Sequence, residues 1–324
     1  MTLRLPDDWV WDAWFVVDDG LVHTFFLHAP RSLGNPDLRH LHARVGHAVS
    51  RDLRTWDLRP PVLTDPPAGA PDGRATWTGS VIRDRDRWLM AFSGLADRPG
   101  EGYVQRIGIA ESQDLDTWTR TGVVLEADGR WYAKATPGSR DQEHWRDPWC
   151  WVDPDGILHL LITARANQGP ADGLGVIGHA WSRDRRTFEV GPPLSEPGEL
   201  RQLEVPQLVF AAEGRWLVLA SVRASDHSAV RQARPGFVPE TGVLVLAGPS
   251  PLGPFTVTPG PCLLGDPADR WYAGRLVELG GRPWLMTWLD QRDGRFVGEL
   301  ADPIPLNRAP GGTLRLAVPV EALR

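Results

Sequence analysis

Short apolar runs separated by turn residues repeat along the whole chain. Trp14 to Phe26 is an apolar run, an Asp18-Asp19-Gly20 turn and a second apolar run. Val81 to Phe92 repeats the plan around Arg83–Arg87, and Trp149 to Ile162 around Asp153-Pro154-Asp155-Gly156. Leu208 to Leu219 turns at Glu213-Gly214, and Leu276 to Trp288 at Gly280-Gly281. Paired apolar segments joined by short polar, glycine-containing turns predict β-hairpins. No long stretch carries a 3.6-residue apolar period, so helices are expected to be sparse.

A second hairpin signature follows the first in each unit. Gly46-His47-Ala48-Val49-Ser50-Arg51-Asp52-Leu53-Arg54-Thr55-Trp56 is matched by 108–118 and by 178–188, and a degenerate copy covers Val243 to Val257. The Ser-x-Asp turn can bond its side chains to nearby backbone N–H groups, and the aromatic residue opens the next strand. This element is therefore expected to be structural. Two hairpins per unit, about five times, at a spacing of roughly 60 to 70 residues, predict an all-β, five-bladed β-propeller. No linker interrupts the series. The expectation is one domain over 1–324, with blades about 10–58, 75–126, 145–194, 202–258 and 262–318. Residues 60–74 and 225–241 read as long loops.

Composition narrows the functional classes. A net charge of −6 gives no electrostatic reason to propose nucleic acid or an anionic membrane as partner. No stretch approaches a membrane span. Cys150 and Cys262 lie far apart, outside any CxxC motif, and read as buried small side chains, with their pairing left open. His23, His28, His47 and His179 lack metal-ligand spacing, and neither a metal nor an organic cofactor is expected. The N-terminus lacks an apolar run long enough for a secretory signal, which predicts a cytoplasmic protein. Sixteen Trp against three Tyr is an excess that suits stacking on sugar rings.

The unit openings carry the candidate chemistry. They read Trp9-Val10-Trp11-Asp12-Ala13-Trp14, Trp77-Thr78-Gly79-Ser80, Trp145-Arg146-Asp147-Pro148, Leu203-Glu204-Val205-Pro206 and Arg270-Trp271-Tyr272-Ala273-Gly274-Arg275. In a propeller the first strand of each blade lines the axis, so these openings converge. Gathering Asp12, Asp147 and Glu204 there is costly without a function, and crowding carboxylates raises at least one pKa.

Trp11-Asp12, Arg146-Asp147-Pro148 and Glu204-Val205-Pro206 resemble the three motifs of glycoside hydrolase families 32 and 68, the invertases, inulinases, levanases and levansucrases. Trp77-Thr78-Gly79-Ser80 is similar to their Trp-Ser-Gly-Ser motif, and Trp271-Tyr272-Ala273 to a Phe-Tyr-Ala segment. The likeness spans roughly residues 9 to 290. It departs where the Asn-Asp-Pro-Asn-Gly motif is absent around Asp12 and where Val follows Glu204. The resemblance implies a retaining hydrolase or transglycosylase of β-fructofuranosides, with a small saccharide as partner. It implies Asp12 as nucleophile, Asp147 as transition-state stabiliser and Glu204 as acid/base. Trp11, Trp14, Trp77 and Tyr272 are expected as pocket walls. Arg146, Ser80 and Arg201 are expected to hold carboxylates or hydroxyls, and His144 could line the site. Two other readings are open: a family 43-like inverting arabinofuranosidase or xylosidase, and a sugar-binding propeller without catalysis.

Overall fold

The computed structural model describes residues 3–98, 102–135 and 143–323. Five antiparallel sheets follow one another along the chain. Blade 1 is built from strands Asp8–Asp18, Leu21–Pro30, Arg44–Ser50 and Asp57–Val62. Blade 2 is built from Ala75–Asp84, Arg87–Arg98, Gly102–Ser112 and Thr119–Leu125, and blade 3 from Trp145–Val152, Leu158–Arg165, Gly175–Ser182 and Glu189–Gly191. Blade 4 has Glu204–Ala212, Arg215–Val222, Thr241–Gly248 and Thr256–Val257. A short strand, Leu264–Asp266, also pairs with Thr241–Val243, so the stretch assigned from sequence to the start of the fifth blade belongs to the fourth sheet. Blade 5 runs from Trp271–Leu279 through Arg282–Arg292 and Arg295–Leu300 to Ile304–Arg308 and Leu314–Leu316.

The first strand of each blade packs on that of the next, and the fifth blade returns to the first, so the sheets form a ring. Closure is fastened by Arg31, which donates from Nη2 to the carbonyls of Val297 and Gly298, and by Leu300 N–H to the Leu3 carbonyl. Apolar clusters fill the wedges between blades. The second strand of blade 3 is buried at every residue because it meets sheets on both faces.

The Ser-x-Asp repeat is a turn lock, as its composition predicts. Ser50 Oγ accepts from Asp52 and Leu53 N–H, while Asp52 Oδ1 accepts from Arg54 and Thr55 N–H. Ser112-Gln113-Asp114 and Ser182-Arg183-Asp184 repeat it. Of the two long loops expected, residues 63–74 are tied down by buried Asp72, which takes Arg120 and Thr76, and the other contains a short helix, Ala229–Gln232. Cys150 and Cys262 are both free thiols, not a pair.

Candidate active site

One irregularity, repeated five times, builds the site. Each innermost strand carries one extra residue, a β-bulge, at the same depth in the ring. The extra residues are Asp12, Thr78, Asp147, Val205 and Ala273, judged by the pairs that flank them. Four of them have positive φ: 31° at Asp12, 54° at Asp147, 53° at Val205 and 49° at Ala273. Non-glycine residues held in that region cost of order 1–3 kcal/mol each and cluster where function requires them. The bulge re-aims the side chain. The residue before it in each blade forms a second ring: Trp11, Trp77, Arg146, Glu204 and Tyr272.

Hydroxyls on the neighbouring second strands hold the bulges in place. Ser93 Oγ donates to the Thr78 carbonyl and accepts from Asp147 N–H at 2.6 Å in the next blade. Thr163 Oγ1 accepts from Val205 N–H at 3.1 Å, and Ser221 Oγ from Gly274 N–H at 3.2 Å. A bulge breaks its own ladder and frees an N–H, and a buried N–H must find a partner. Here the preceding blade supplies it.

These two rings, Ala273 excepted, line a cavity of about 480 Å³. Its wall includes all three sequence-predicted carboxylates together with Trp11, Trp77, Arg146, Tyr272 and His144. Asp12 is held at both oxygens, Oδ2 by Thr78 Oγ1 at 2.8 Å and Oδ1 by Trp288 Nε1 at 2.9 Å. Asp147 Oδ2 accepts from Thr163 Oγ1 at 2.9 Å and lies 3.6 Å from Arg146 Nε. Glu204 Oε1 accepts from Arg146 Nη2 at 2.5 Å, and Oε2 from the Tyr272 hydroxyl. Arg146 thus bridges the second and third carboxylates.

Electrostatics differ among the three acids. Burial raises Asp12, and Glu204 adds to it, against the hydrogen bond from Thr78 and the charge of Arg39. Burial also pushes Asp147 up to about 7, with Glu204 and Asp12 adding to it although Arg146 opposes. Burial acts on Glu204 in the same direction, but Arg146 and the Tyr272 hydroxyl outweigh it, and its pKa is lowered. The surroundings thus favour the ionised form at Glu204 and the neutral form at Asp12 and Asp147. His40, pushed down to about 3 by burial and then by Arg39, and His144, also lowered by burial, are neutral donors or acceptors.

Three expected site residues stand elsewhere. Trp14 is fully buried in the blade core, stacked on Phe25 with ring centroids 6.1 Å apart. Ser80 is buried and accepts from Cys150 N–H at 2.8 Å, joining blades 2 and 3. Trp14 and Ser80 lie two residues past their bulges, where simple counting of alternate positions fails. Arg201 is exposed and outside the cavity lining. Conversely, Thr78 occupies the same ring position as Asp12 and Asp147, which aligning Trp77-Thr78 on Trp11-Asp12 would have revealed. Arg39 and His40 come from a 3-10 turn, Pro36–Leu41, that no motif marks. Arg223, whose guanidinium carbon sits 3.7 Å from the Tyr272 ring centroid and pairs with Asp290, was also missed.

Comparison with known proteins agrees with this geometry. The family model for the glycosyl hydrolases family 32 N-terminal domain matches residues 9–232. An extracellular sucrase of Zymomonas mobilis is 25% identical over 97% of this chain and 83% of its own length. Among solved structures, an inulosucrase from Halalkalicoccus jeotgali bound to kestose superposes with a TM-score of 0.76 at 21% identity, covering 100% of this chain and 93% of that one. Bacillus subtilis levansucrase gives 0.75 at 17% identity, covering 98% and 88%. A Microbacterium saccharophilum K-1 β-fructofuranosidase catalytic domain gives 0.71 at 17% identity, covering 98% and 84%. At these identities the structures speak for the shared five-bladed fold. The expectation of a cytoplasmic protein is overturned, because the curated relatives are named extracellular, which points to secretion.

Proposed function

The chain belongs to glycosyl hydrolase family 32, and from that premise we propose that it is a retaining glycosidase acting on β-fructofuranosides of the sucrose type. The reading rests on one observation: Asp12, Asp147 and Glu204, on three different blades, line one cavity of sugar size.

Asp12 is the nucleophile. Both its oxygens are held by neutral donors from neighbouring blades, which fixes the carboxylate while leaving lone pairs for the anomeric carbon. Glu204 protonates the leaving oxygen, then takes a proton from the incoming water or sugar hydroxyl. A retaining pair of this kind works at a separation of about 5–5.5 Å. Asp147 faces the ring hydroxyls and the positive charge of the oxocarbenium-like transition state. Trp11, Trp77 and Tyr272 supply walls, and Arg146 holds Glu204 and Asp147 in register.

The lowered pKa of Glu204 and the raised pKa of Asp12 set a condition on this mechanism. Turnover needs Glu204 protonated and Asp12 ionised, whereas burial favours neutral Asp12 and Arg146 with the Tyr272 hydroxyl favours ionised Glu204. Activity falls on the acid side as Asp12 takes up a proton and on the basic side as Glu204 loses one. The macroscopic limbs belong to the coupled set.

The test is a hydrolysis screen with sucrose, inulin, levan and aryl arabinofuranosides, run on wild type beside Asp12→Ala and Glu204→Ala. Fructose release from a fructoside, retained configuration in the first-formed anomer by proton NMR, and loss of at least about 10³-fold in both variants are expected. Equal activity in the variants would remove the site. An inverted product, or activity confined to arabinofuranosides, would move the chain to the inverting reading.

A further inference from the structure

We infer that Arg275 is a positioning residue for this reaction: its guanidinium ties the bulged innermost strands of blades 2 and 4 together against that of blade 3 and places a buried positive charge beside the acid-bearing strands. The inference deepens the fructosidase reading and rests on it.

Arg275 lies on the innermost strand of blade 5, two residues past the bulge at Ala273, and is 1% exposed. No carboxylate lies within ion-pair distance of it among the described residues. Instead Nη1 donates to the Pro206 carbonyl at 2.5 Å and Nη2 to the Gly79 carbonyl at 3.4 Å. The guanidinium carbon sits 5.0 Å from the Trp149 ring centroid. Pro206 and Gly79 each directly follow the bulged residue of their blade, and Trp149 is two past the bulge of blade 3. One side chain from blade 5 therefore crosses the axis to the bulges of blades 2, 3 and 4. Carbonyls beside a bulge lie outside the regular ladder and need such a partner.

A buried guanidinium with only carbonyl partners needs negative charge nearby. Burial lowers its pKa to about 10, and the charges that pull it back up are those of Asp147 and then Asp12. That attraction is mutual, so Arg275 favours the ionised forms of the two acids that burial and Glu204 push towards neutrality. The other ionisable groups around the pair are Tyr103 of blade 2, His144 just before blade 3 and Arg146 within it, Glu204 and Arg223 of blade 4, Tyr272 of blade 5, and Asp37, Arg39 and His40 of the 3-10 turn. Cys150, whose thiol burial raises to about 11, is neutral. Arg39, Arg146 and Arg223 line the cavity, whereas Arg275 stands outside its lining.

The charge and the clamp are separated by two variants. Arg275→Gln keeps a donor and removes the charge; Arg275→Lys keeps a charge and cannot span both carbonyls. Both are assayed on a fructoside across pH, with folding followed by circular dichroism. In Arg275→Gln the acidic limb of kcat/KM is expected to move up by about one pH unit, with activity below that limb down about tenfold. In Arg275→Lys the limb stays near the wild-type position while the melting temperature falls. An acidic limb that does not move in a folded Gln variant overturns the inference. So does a limb that moves as far with Lys as with Gln. If the Gln variant does not fold, the Lys variant decides alone: a limb moved up by a unit or more with a cation still present is the refuting result. Should Arg275→Gln leave the profile intact while Asp12→Ala is inactive, the charge role of Arg275 fails and the fructosidase reading survives.

Discussion

Replacing Tyr272 by Phe removes one atom from the cavity wall and tests the charge assignment directly. The Tyr272 hydroxyl donates to Glu204 Oε2 in a buried setting, and it is one of the groups that hold Glu204 below its ordinary range. A hydrogen bond to a charged group contributes about 1.5–3 kcal/mol. At about 1.36 kcal/mol per pH unit, losing it favours protonated Glu204 by about 1 to 2 units. The sign follows from the role. Glu204 must carry a proton to assist departure, so kcat/KM falls as pH rises through its pKa. Raising that pKa moves the basic limb of the kcat/KM profile upward by the same 1 to 2 units, and the optimum moves towards neutrality. The ring remains, still edge-on to Trp288 at 6.3 Å and beneath the Arg223 guanidinium, so the wall is preserved. The assay is initial-rate fructose release from sucrose at subsaturating substrate between about pH 3.5 and 8. A basic limb that stays in place or moves down would show that Glu204 is not the group whose proton is delivered.

Thr78→Val deletes the donor to Asp12 Oδ2 at 2.8 Å, raises the nucleophile's pKa and moves the acidic limb up, with kcat/KM below it reduced by about 10-fold or more; an unmoved limb would argue against Asp12 as the ionised partner. Asp72→Ala removes the buried carboxylate that pairs with the part-buried Arg120 guanidinium at 2.6 Å and is expected to cost about 3 kcal/mol, read as a lowered denaturant midpoint with kcat unchanged at 25 °C. Arg201→Ala removes an exposed side chain outside the cavity, so kcat/KM on sucrose should stay within about twofold of wild type; a larger loss would return Arg201 to the site.

The propeller was legible because its repeats are made of residues with fixed jobs. Gly46, Gly108 and Gly178 cannot carry a Cβ, which would fall 2.4 Å from the Phe26 and Phe92 rings in the first two cases and 2.8 Å from Ala164 in the third. The Ser-x-Asp locks recur in the same places and were read correctly as structure. Asp12, Asp147 and Glu204 could be selected because carboxylates at converging strand openings are hard to explain otherwise. What could not be read was side-chain direction past each opening. Alternation along a strand places Trp14 and Ser80 beside Asp12 and Thr78, but the extra residue shifts the parity, and both go into the blade core. Arg39, His40 and Arg223 were hidden for another reason. They reach the cavity from connections between strands, where no period or repeat constrains position.

The bulge column also explains why this ring can hold three acids with three different tasks. Asp12 and Asp147 occupy the bulged position itself, where a short side chain on a strained backbone is aimed inward and hydroxyls from neighbouring strands meet its oxygens. Glu204 occupies the position before the bulge, beside Arg146 across the blade boundary and Tyr272 on the other side, and its longer side chain reaches the same space from the wall. Cations are distributed to match. Arg146 and Arg223 favour ionised Glu204, Arg39 favours ionised Asp12, and Arg275 favours ionised Asp147 and Asp12. Removing the Arg275 charge would favour the neutral forms of Asp147 and Asp12 further. The bulges leave the Pro206 and Gly79 carbonyls outside the regular ladder, and the ring uses them to seat a guanidinium beside its acid-bearing strands.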